Sequence, residues 1–312
     1  VGIDSADVFG ISLRLSWPLY TGGRAEALID QARHGAHAAE LGMVKAEQQL
    51  RLDTAIAYFN ALQARNMVKV NTQATANLNE HLAAVRAQYE VGAAARADLL
   101  RSEVELANAQ QNLTKAQNAY DVAIAALNNI VGLPLATASE LGDELEYTPY
   151  DLSLEESVKA AMAGRPELAQ SQDSIAMAEA GRKAAESGRL PSLSLSGSQS
   201  WSGDEYPSRD RNWSVSLTAS WSIFDADLTR AEVARATAEA AKAKEQDNQL
   251  RDGVELEVRQ AYLSMKEAEQ RIDTSRVAVD KASEDVKIAQ AKYNAGAGTN
   301  LDVIDAQLAL TQ

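Results

Sequence analysis

The sequence predicts a mixed, mainly α-helical fold: long antiparallel helices of coiled-coil type, joined to a few β-strands paired as hairpins. Three observations carry this expectation. Two proline-free tracts, 19–133 and 208–312, are filled by helix-forming residues with few turn residues among them. Three short stretches alternate apolar and polar residues with period two. A single offset of 204 residues brings the two halves of the chain into register.

The elements follow in order. Residues 9–19 (FGISLRLSWPL) place Phe9, Ile11, Leu13, Leu15, Trp17 and Leu19 on one face of a strand. Residues 24–90 contain only Gly35 and Gly42 as weak breakers, and Leu28, Ala32, Ala36, Ala39 and Met43 recur at helical spacing. A helix of that span is about 100 Å long, which demands coiled-coil-like packing. In YEVGAAARADLL (89–100), Gly92 is placed for a left-handed cap and Asp98 falls in the first turn of the next helix. That helix runs to about Val131 and stops at GLP (132–134). Ser153-Leu-Glu-Glu156 is a capping-box pattern that opens a short helix, and another helix follows Pro166 and ends near Gly188. Residues 190–202 and 212–223 alternate again, with the polar turn GDEYPSRD (203–210) between them.

The offset pairs Trp17 with Trp221, Tyr58 with Tyr262, Tyr89 with Tyr293, Gly92 with Gly296 and Asp98 with Asp302. Ile11, Leu13 and Leu19 fall on Val215, Leu217 and Ile223. The chain therefore reads as two copies of strand, long helix, turn and helix. Val1 falls on Glu205 and Gln312 on Asn108, so the repeat predicts a longer protein cut at both ends, whose full copies supply four strands.

Composition removes several classes. Apolar residues make up 46% of the chain, which argues against disorder. A net charge of −14 argues against nucleic acid as a partner. There is no cysteine, hence no disulfide and no thiolate metal site. No apolar run reaches the roughly 18 residues of a membrane helix. His34 and His37 are three apart on a helix with no third ligand evident, and His81 stands alone, so no metal is expected. No nucleophile elbow, phosphate loop or zinc spacing is found, so neither an enzyme nor a cofactor is expected.

All four tryptophans are expected on the apolar face of the strands. Trp201 and Trp213 flank the hairpin loop, and Trp17 and Trp221 lie at the opposite end beside the long helices. Eight residues of strand separate Trp213 from Trp221, about 26 Å, near the roughly 25 Å apolar band of an outer-membrane barrel with its aromatic girdles. The Ser/Thr face then lines a wet lumen. A soluble sandwich with one exposed face has the same alternation. Four strands cannot close a barrel and an open edge cannot stand in lipid, so the membrane reading requires an oligomer.

The segments WPLYTGGR (17–24), NNIVGLP (128–134), RPEL (165–168) and YNAGAGTNLDVIDAQ (293–307) resemble those of the TolC family of outer-membrane efflux proteins. The resemblance implies a homotrimer in the outer membrane of a diderm bacterium, with a 12-stranded barrel on a periplasmic tube of helices. Segments 8–19 and 190–224 would supply barrel strands. Segment 24–133 would be the first helical hairpin of the tube, 134–165 the equatorial segment, and 166–189 with 227–312 the second helical part. Trp17, Trp201, Trp213 and Trp221 would form the aromatic girdle against outer-membrane lipid. The function implied is a passive exit duct of a tripartite efflux pump or a type I secretion system. A periplasmic adaptor (membrane fusion) protein would link it to an inner-membrane pump or ABC transporter. By the same resemblance Asp302 and Asp305 ring the periplasmic entrance; both are also first-turn residues that suit a helix dipole, although the offset pairs Asp305 with Arg101. Tyr293 would help hold the entrance shut, or else pack at a helix end like Tyr89. The family's arginine partner for this tyrosine falls at Gly298. The turns Val91–Ala95 and Ala295–Thr299 would dock the adaptor through Val91, Gly92, Ala295, Gly296 and Thr299. The alternative function is a soluble coiled-coil scaffold or adhesin stalk with a small β cap.

Overall fold

The computed structural model describes residues 9–204 and 210–312; the expected turn at 203–210 lies mostly outside them. The elements are β1 (Phe9–Tyr20), α1 (Arg24–Glu90), α2 (Arg96–Val131), α3 (Leu154–Gly164), α4 (Pro166–Glu186), β2 (Ser192–Gly203), β3 (Asp210–Ser220), α5 (Leu228–Asn294) and α6 (Asn300–Thr311). A 3₁₀ turn, Ser187–Arg189, joins α4 to β2. α1 and α5 each hold 67 residues. Among the described residues no helix is long and apolar enough to cross a membrane.

The contacts divide the chain into two units, one comprising Val1–Lys45 and Val158–Glu257, the other Ala46–Ser157 and Val258–Gln312. The first holds an antiparallel sheet of order β1-β2-β3. Its register aligns Leu15, Gly197 and Val215 across the three strands, and Trp17, Leu195 and Leu217 likewise. Directly opposed residues share a face. One face therefore carries Ile11, Leu13, Leu15 and Trp17 beside Leu193, Leu195 and Trp201, then Trp213, Val215 and Leu217. The other carries Ser12, Ser16, Ser194, Ser196, Ser198, Ser214, Ser216 and Thr218. Cross-strand hydroxyl pairs stitch this second face, Ser196 to Ser216 at 2.8 Å and Ser198 to Ser214 at 2.9 Å.

Helix packing in this unit bears on Gly42 of α1. A Cβ on Gly42 would stand 3.1 Å from the Gln170 Nε2 of α4, which donates to the Ala38 carbonyl at 2.8 Å. At Gly42 the missing side chain thus leaves space for Gln170, whereas a Cβ on Gly35 would make only ordinary contact with Met177 at 3.7 Å. At the strand-to-helix junction Gly22 has φ +65°, and a Cβ there would meet Leu190 Cβ and the Ser187 carbonyl oxygen at 2.9 Å. Neither the backbone nor the space admits another residue.

In the second unit Ala57, Ala61, Leu62, Ile124, Leu127 and Leu141 form a core, with Tyr58 and Tyr120 packed against it. The NNIVGLP turn is organised by fully buried Asn128, whose Nδ2 donates to the carbonyls of Leu135 (3.3 Å) and Thr137 (2.9 Å) while its Oδ1 accepts from Ser139 Oγ (2.7 Å). The chain beyond it is strapped across α1: Arg65 donates to the Leu141 carbonyl at 2.7 Å, and Lys69 pairs with Glu144 at 2.8 Å. A second core joins Val286 and Ala289 of α5 to Val303 and Ala306 of α6.

Candidate functional site

The helix-hairpin turns of the second unit are built by the same device. In the first, Ala93 N–H donates to Gln88 O at 2.8 Å and Gly92 N–H to Tyr89 O at 3.0 Å. In the second, Ala297 N–H donates to Lys292 O at 2.9 Å and Gly296 N–H to Tyr293 O at 3.0 Å. These are Schellman pairs, and both require a left-handed residue. Gly92 (φ 77°) and Gly296 (φ 70°) supply it. Val91 and Ala295 precede these glycines at the ends of their helices, and Val91 is 80% exposed.

The turns differ at the helix starts that follow. α2 begins after Ala95, which offers no side-chain cap. α6 begins after Thr299, whose Oγ1 accepts from Asp302 N–H at 3.2 Å while Asp302 Oδ2 accepts from Thr299 N–H at 2.8 Å. The reciprocal bonds form a capping box. Hydrogen bonds from the Thr299 backbone and hydroxyl hold the Asp302 carboxyl below the ordinary carboxylate range. Asp305, one turn on, is exposed and shares a groove of about 430 Å³ with Asp285, Lys292, Gly298 and Asp302. A Cβ on Gly298 would meet Lys292 Cβ at 3.0 Å and Tyr293 N at 3.2 Å, so the position is tight for any side chain, and the arginine that the resemblance implies there is absent.

Tyr293 turns inward. Its ring meets His81 edge-on, with centroids 5.5 Å apart, and its hydroxyl is buried with no hydrogen-bond partner. Burial, reinforced by the charge of Asp98, raises its pKa.

Two groups escape the sequence reading. His81 does not stand alone: it is buried, and its Nε2 lies 2.6 Å from Asn300 Oδ1. Ser102 Oγ donates to the same oxygen at 3.2 Å, and Asn300 Nδ2 donates to the Asp98 carbonyl at 3.1 Å. In the first unit, His34 and His37 gain a common partner, since their Nδ1 atoms lie 2.8 and 2.6 Å from the two oxygens of Asp173 on α4. Burial of Asp173 works to raise its pKa, and the bonds from both imidazoles outweigh it and hold it low. Among the described residues no group of three or more His, Asp or Glu is disposed to hold a metal ion. No spacing announces the bonds that make either cluster, because His34 and His37 lie 139 and 136 residues from Asp173, and His81 lies 219 from Asn300.

On the sheet, three tryptophans lie in strands and Trp221 does not: it is the first residue beyond β3. The ladder ends at the pair Ser192–Ser220, because the residue before Ser192 is Pro191, which has no N–H to give. The Trp221 indole instead donates to the Arg189 carbonyl at 3.2 Å. The rim spacing is therefore read within the sheet. Trp17 opposes Leu195, and Trp201 stands six residues further along β2, about 20 Å away. Trp17 is 60% and Trp213 75% exposed, while Trp201 on the central strand is half-buried.

The fold, a small sheet in a chain of very long helices, is shared with solved outer-membrane proteins. The structure matches VceC of Vibrio cholerae (TM-score 0.83, 18% identity, 98% of this chain and 74% of VceC) and CmeC of Campylobacter jejuni (TM-score 0.85, 17% identity, 97% and 66%). The chain belongs to the outer membrane efflux protein family, whose model matches residues 2–133 and 158–312. This membership puts it in the outer membrane. It is 27% identical over 299 residues to the alkaline protease secretion protein AprF of Pseudomonas aeruginosa, covering 93% of this chain. It is 25% identical over 278 residues to the outer membrane protein TolC of Escherichia coli, covering 85% of this chain. It spans 60% and 56% of the length of these two relatives.

Proposed function

We propose that the full-length protein is a homotrimeric exit duct, carrying solutes passively through the outer membrane for an efflux pump or a type I secretion system. The observation that carries this is the sheet. Its apolar face is exposed, its opposite face is hydroxylated, and among the described residues the outer edges of β1 and β3 have no strand partner. In lipid those edges must be closed by other strands, and three copies of four strands make a 12-stranded barrel. Trp17, Trp201, Trp213 and Trp221 stand at its rims. The long helices continue as a periplasmic tube, with 134–165 as its equatorial segment. The two-fold internal repeat supports the fourth strand: α1 and α5 begin at Arg24 and Leu228, α2 and α6 at Arg96 and Asn300, each pair at the offset that aligns the tryptophans.

In this reading the turns around Val91, Gly92, Ala295, Gly296 and Thr299 meet a periplasmic adaptor protein, which links the duct to an inner-membrane pump or ABC transporter. Asp305 from three chains forms an acidic ring with Asp302 beside it, and Tyr293 packs behind the ring as part of the closed wall. Crowded carboxylates attract multivalent cations, so such ions block the duct. The test is conductance of the detergent-purified full-length protein in planar bilayers. A trimer that conducts and is blocked by multivalent cations fits the proposal, and D305N weakens the block. An oligomer that needs no detergent and conducts nothing refutes it.

A further inference from the structure

We infer that Arg14 is a charge filter: three copies, one from each chain, form a cationic ring halfway through the barrel lumen that favours the passage of small anions. The inference rests on the homotrimeric barrel proposed above. What carries it is the sheet register. Arg14 is level with Ser198, and Ser198 with Ser214, so it stands on the hydroxylated face. Along β1 it lies three residues from Trp17 and three from Ile11, and Ile11 is level with Trp201. It is therefore midway between two tryptophan levels, about 10 Å from each. A charge at that depth is costly on the lipid side of a barrel strand and tolerated on the wet side, where side chains tune selectivity. Arg211, by contrast, shares the apolar face with Trp201 and stands level with it, at the rim.

Nothing beside Arg14 neutralises it. Its side chain is exposed and has no hydrogen-bond or ion-pair partner among the described residues. Its neighbours on that face are Ser12, Ser16, Ser196, Ser198 and Ser200, whose hydroxyls can donate to the same anion. The other charge on this face of the strands, Asp210, is opposite Ser202. It lies four residues along β3 from the Arg14 level, about 13 Å, beyond the roughly 10 Å screening length of 0.1 M salt. Twelve strands about 4.8 Å apart and tilted by about 40° put the barrel backbone about 12 Å from its axis. Five side-chain bonds of about 1.5 Å carry each guanidinium carbon about 6 Å inward, which leaves three charges about 6 Å from the axis. At 0.1 M salt they enrich a monovalent anion on the axis about fivefold, and at 1 M salt, where the screening length is about 3 Å, by about twofold or less. The ring thus acts on small ions by sign and leaves the bore wide. Its sign is opposite to that of the acidic ring proposed for Asp302 and Asp305.

The experiment measures reversal potentials of the full-length protein in planar bilayers under a potassium chloride gradient, once near 0.1 M and once near 1 M, for the parent, R14S, R14Q and R14K. Near 0.1 M, R14S and R14Q lower the permeability of chloride relative to potassium about fivefold, and near 1 M the difference shrinks to about twofold or less. R14K, which keeps the charge, matches the parent at both concentrations. D305N shifts the ratio in the opposite direction, which separates the two rings. Parental selectivity in R14S and R14Q overturns the filter. So does a loss of equal size at both salt concentrations, or R14K behaving like R14S, because shape rather than charge would then be at work. If R14S does not insert, R14Q and R14K decide. A parent that forms no channel refutes the duct itself, an outcome distinct from a channel in which Arg14 has no effect.

Discussion

The two hairpin turns of the second unit share a backbone and differ in chemistry. Each ends a 67-residue helix with a left-handed glycine and the same pair of reversed hydrogen bonds. Beyond that, the first is chemically plain: Ala95 caps nothing, and Arg96 points outward. The second concentrates its side chains, with a capping box at Thr299 and Asp302, a crowded Gly298, and a buried amide at Asn300. Backbone geometry makes the turn, and side chains decide what else it does. A passive bend needs the first set of features, and a bend held against its neighbours needs the second.

That contrast can be broken or sharpened by substitution. The largest difference is expected between N300A and R96A, which occupy the same place in the two turns. N300A strands the buried His81 and Ser102 groups and costs about 3 kcal/mol, while R96A stays within about 0.5 kcal/mol. Amide hydrogen exchange at α6 and α2 measures both, and equal effects would erase the contrast. Gly92→Ala and Gly296→Ala come next, each costing about 1–2 kcal/mol for a left-handed alanine; unequal costs by the same measurement would mean that the backbones are not equivalent after all. T299A removes the capping box and costs about 1 kcal/mol, while A95T gives α2 a cap that Asp98 is spaced to complete and slows exchange there. The smallest effect is that of pH. Because the folded pKa of Asp302 lies below its unfolded value, its contribution is fully present above about pH 4 and is lost as pH falls through the folded pKa. Exchange at the start of α6 should accelerate below that point, and D302N should remove the dependence.

Much of this was legible in the sequence, for definable reasons. Helices of this length show themselves by sheer repetition, and the strands by strict alternation, because both periods are local properties of the chain. The glycine caps were legible because Gly92 and Gly296 stand where only a left-handed residue ends a helix. The spacing that announces the Ser153–Glu156 box also announces Thr299–Asp302, so the Asp302 cap could have been read as directly. What stayed hidden depends on residues remote in sequence. Asp173 gives His34 and His37 a shared partner from another helix. Asn300 meets His81 from 219 residues away. Trp221 leaves the ladder because of a proline on the opposite strand, which no pattern within its own segment betrays.

The paired serines of the sheet bear on what a passing molecule would feel. In each of the pairs Ser196–Ser216 and Ser198–Ser214 one hydroxyl donates to the other, and the accepting serine keeps its own O–H. On that face the charged side chains in the strands are Arg14, level with Ser198 and Ser214 in the middle of the sheet, and Asp210, opposite Ser202 at one end. In the proposed duct this face would offer solutes mainly small neutral hydroxyls, with Arg14 as the one charge in mid-sheet. If the chain forms the proposed duct, such a face gives little basis beyond charge for sorting one cargo from another, and that task would rest with whatever loads it.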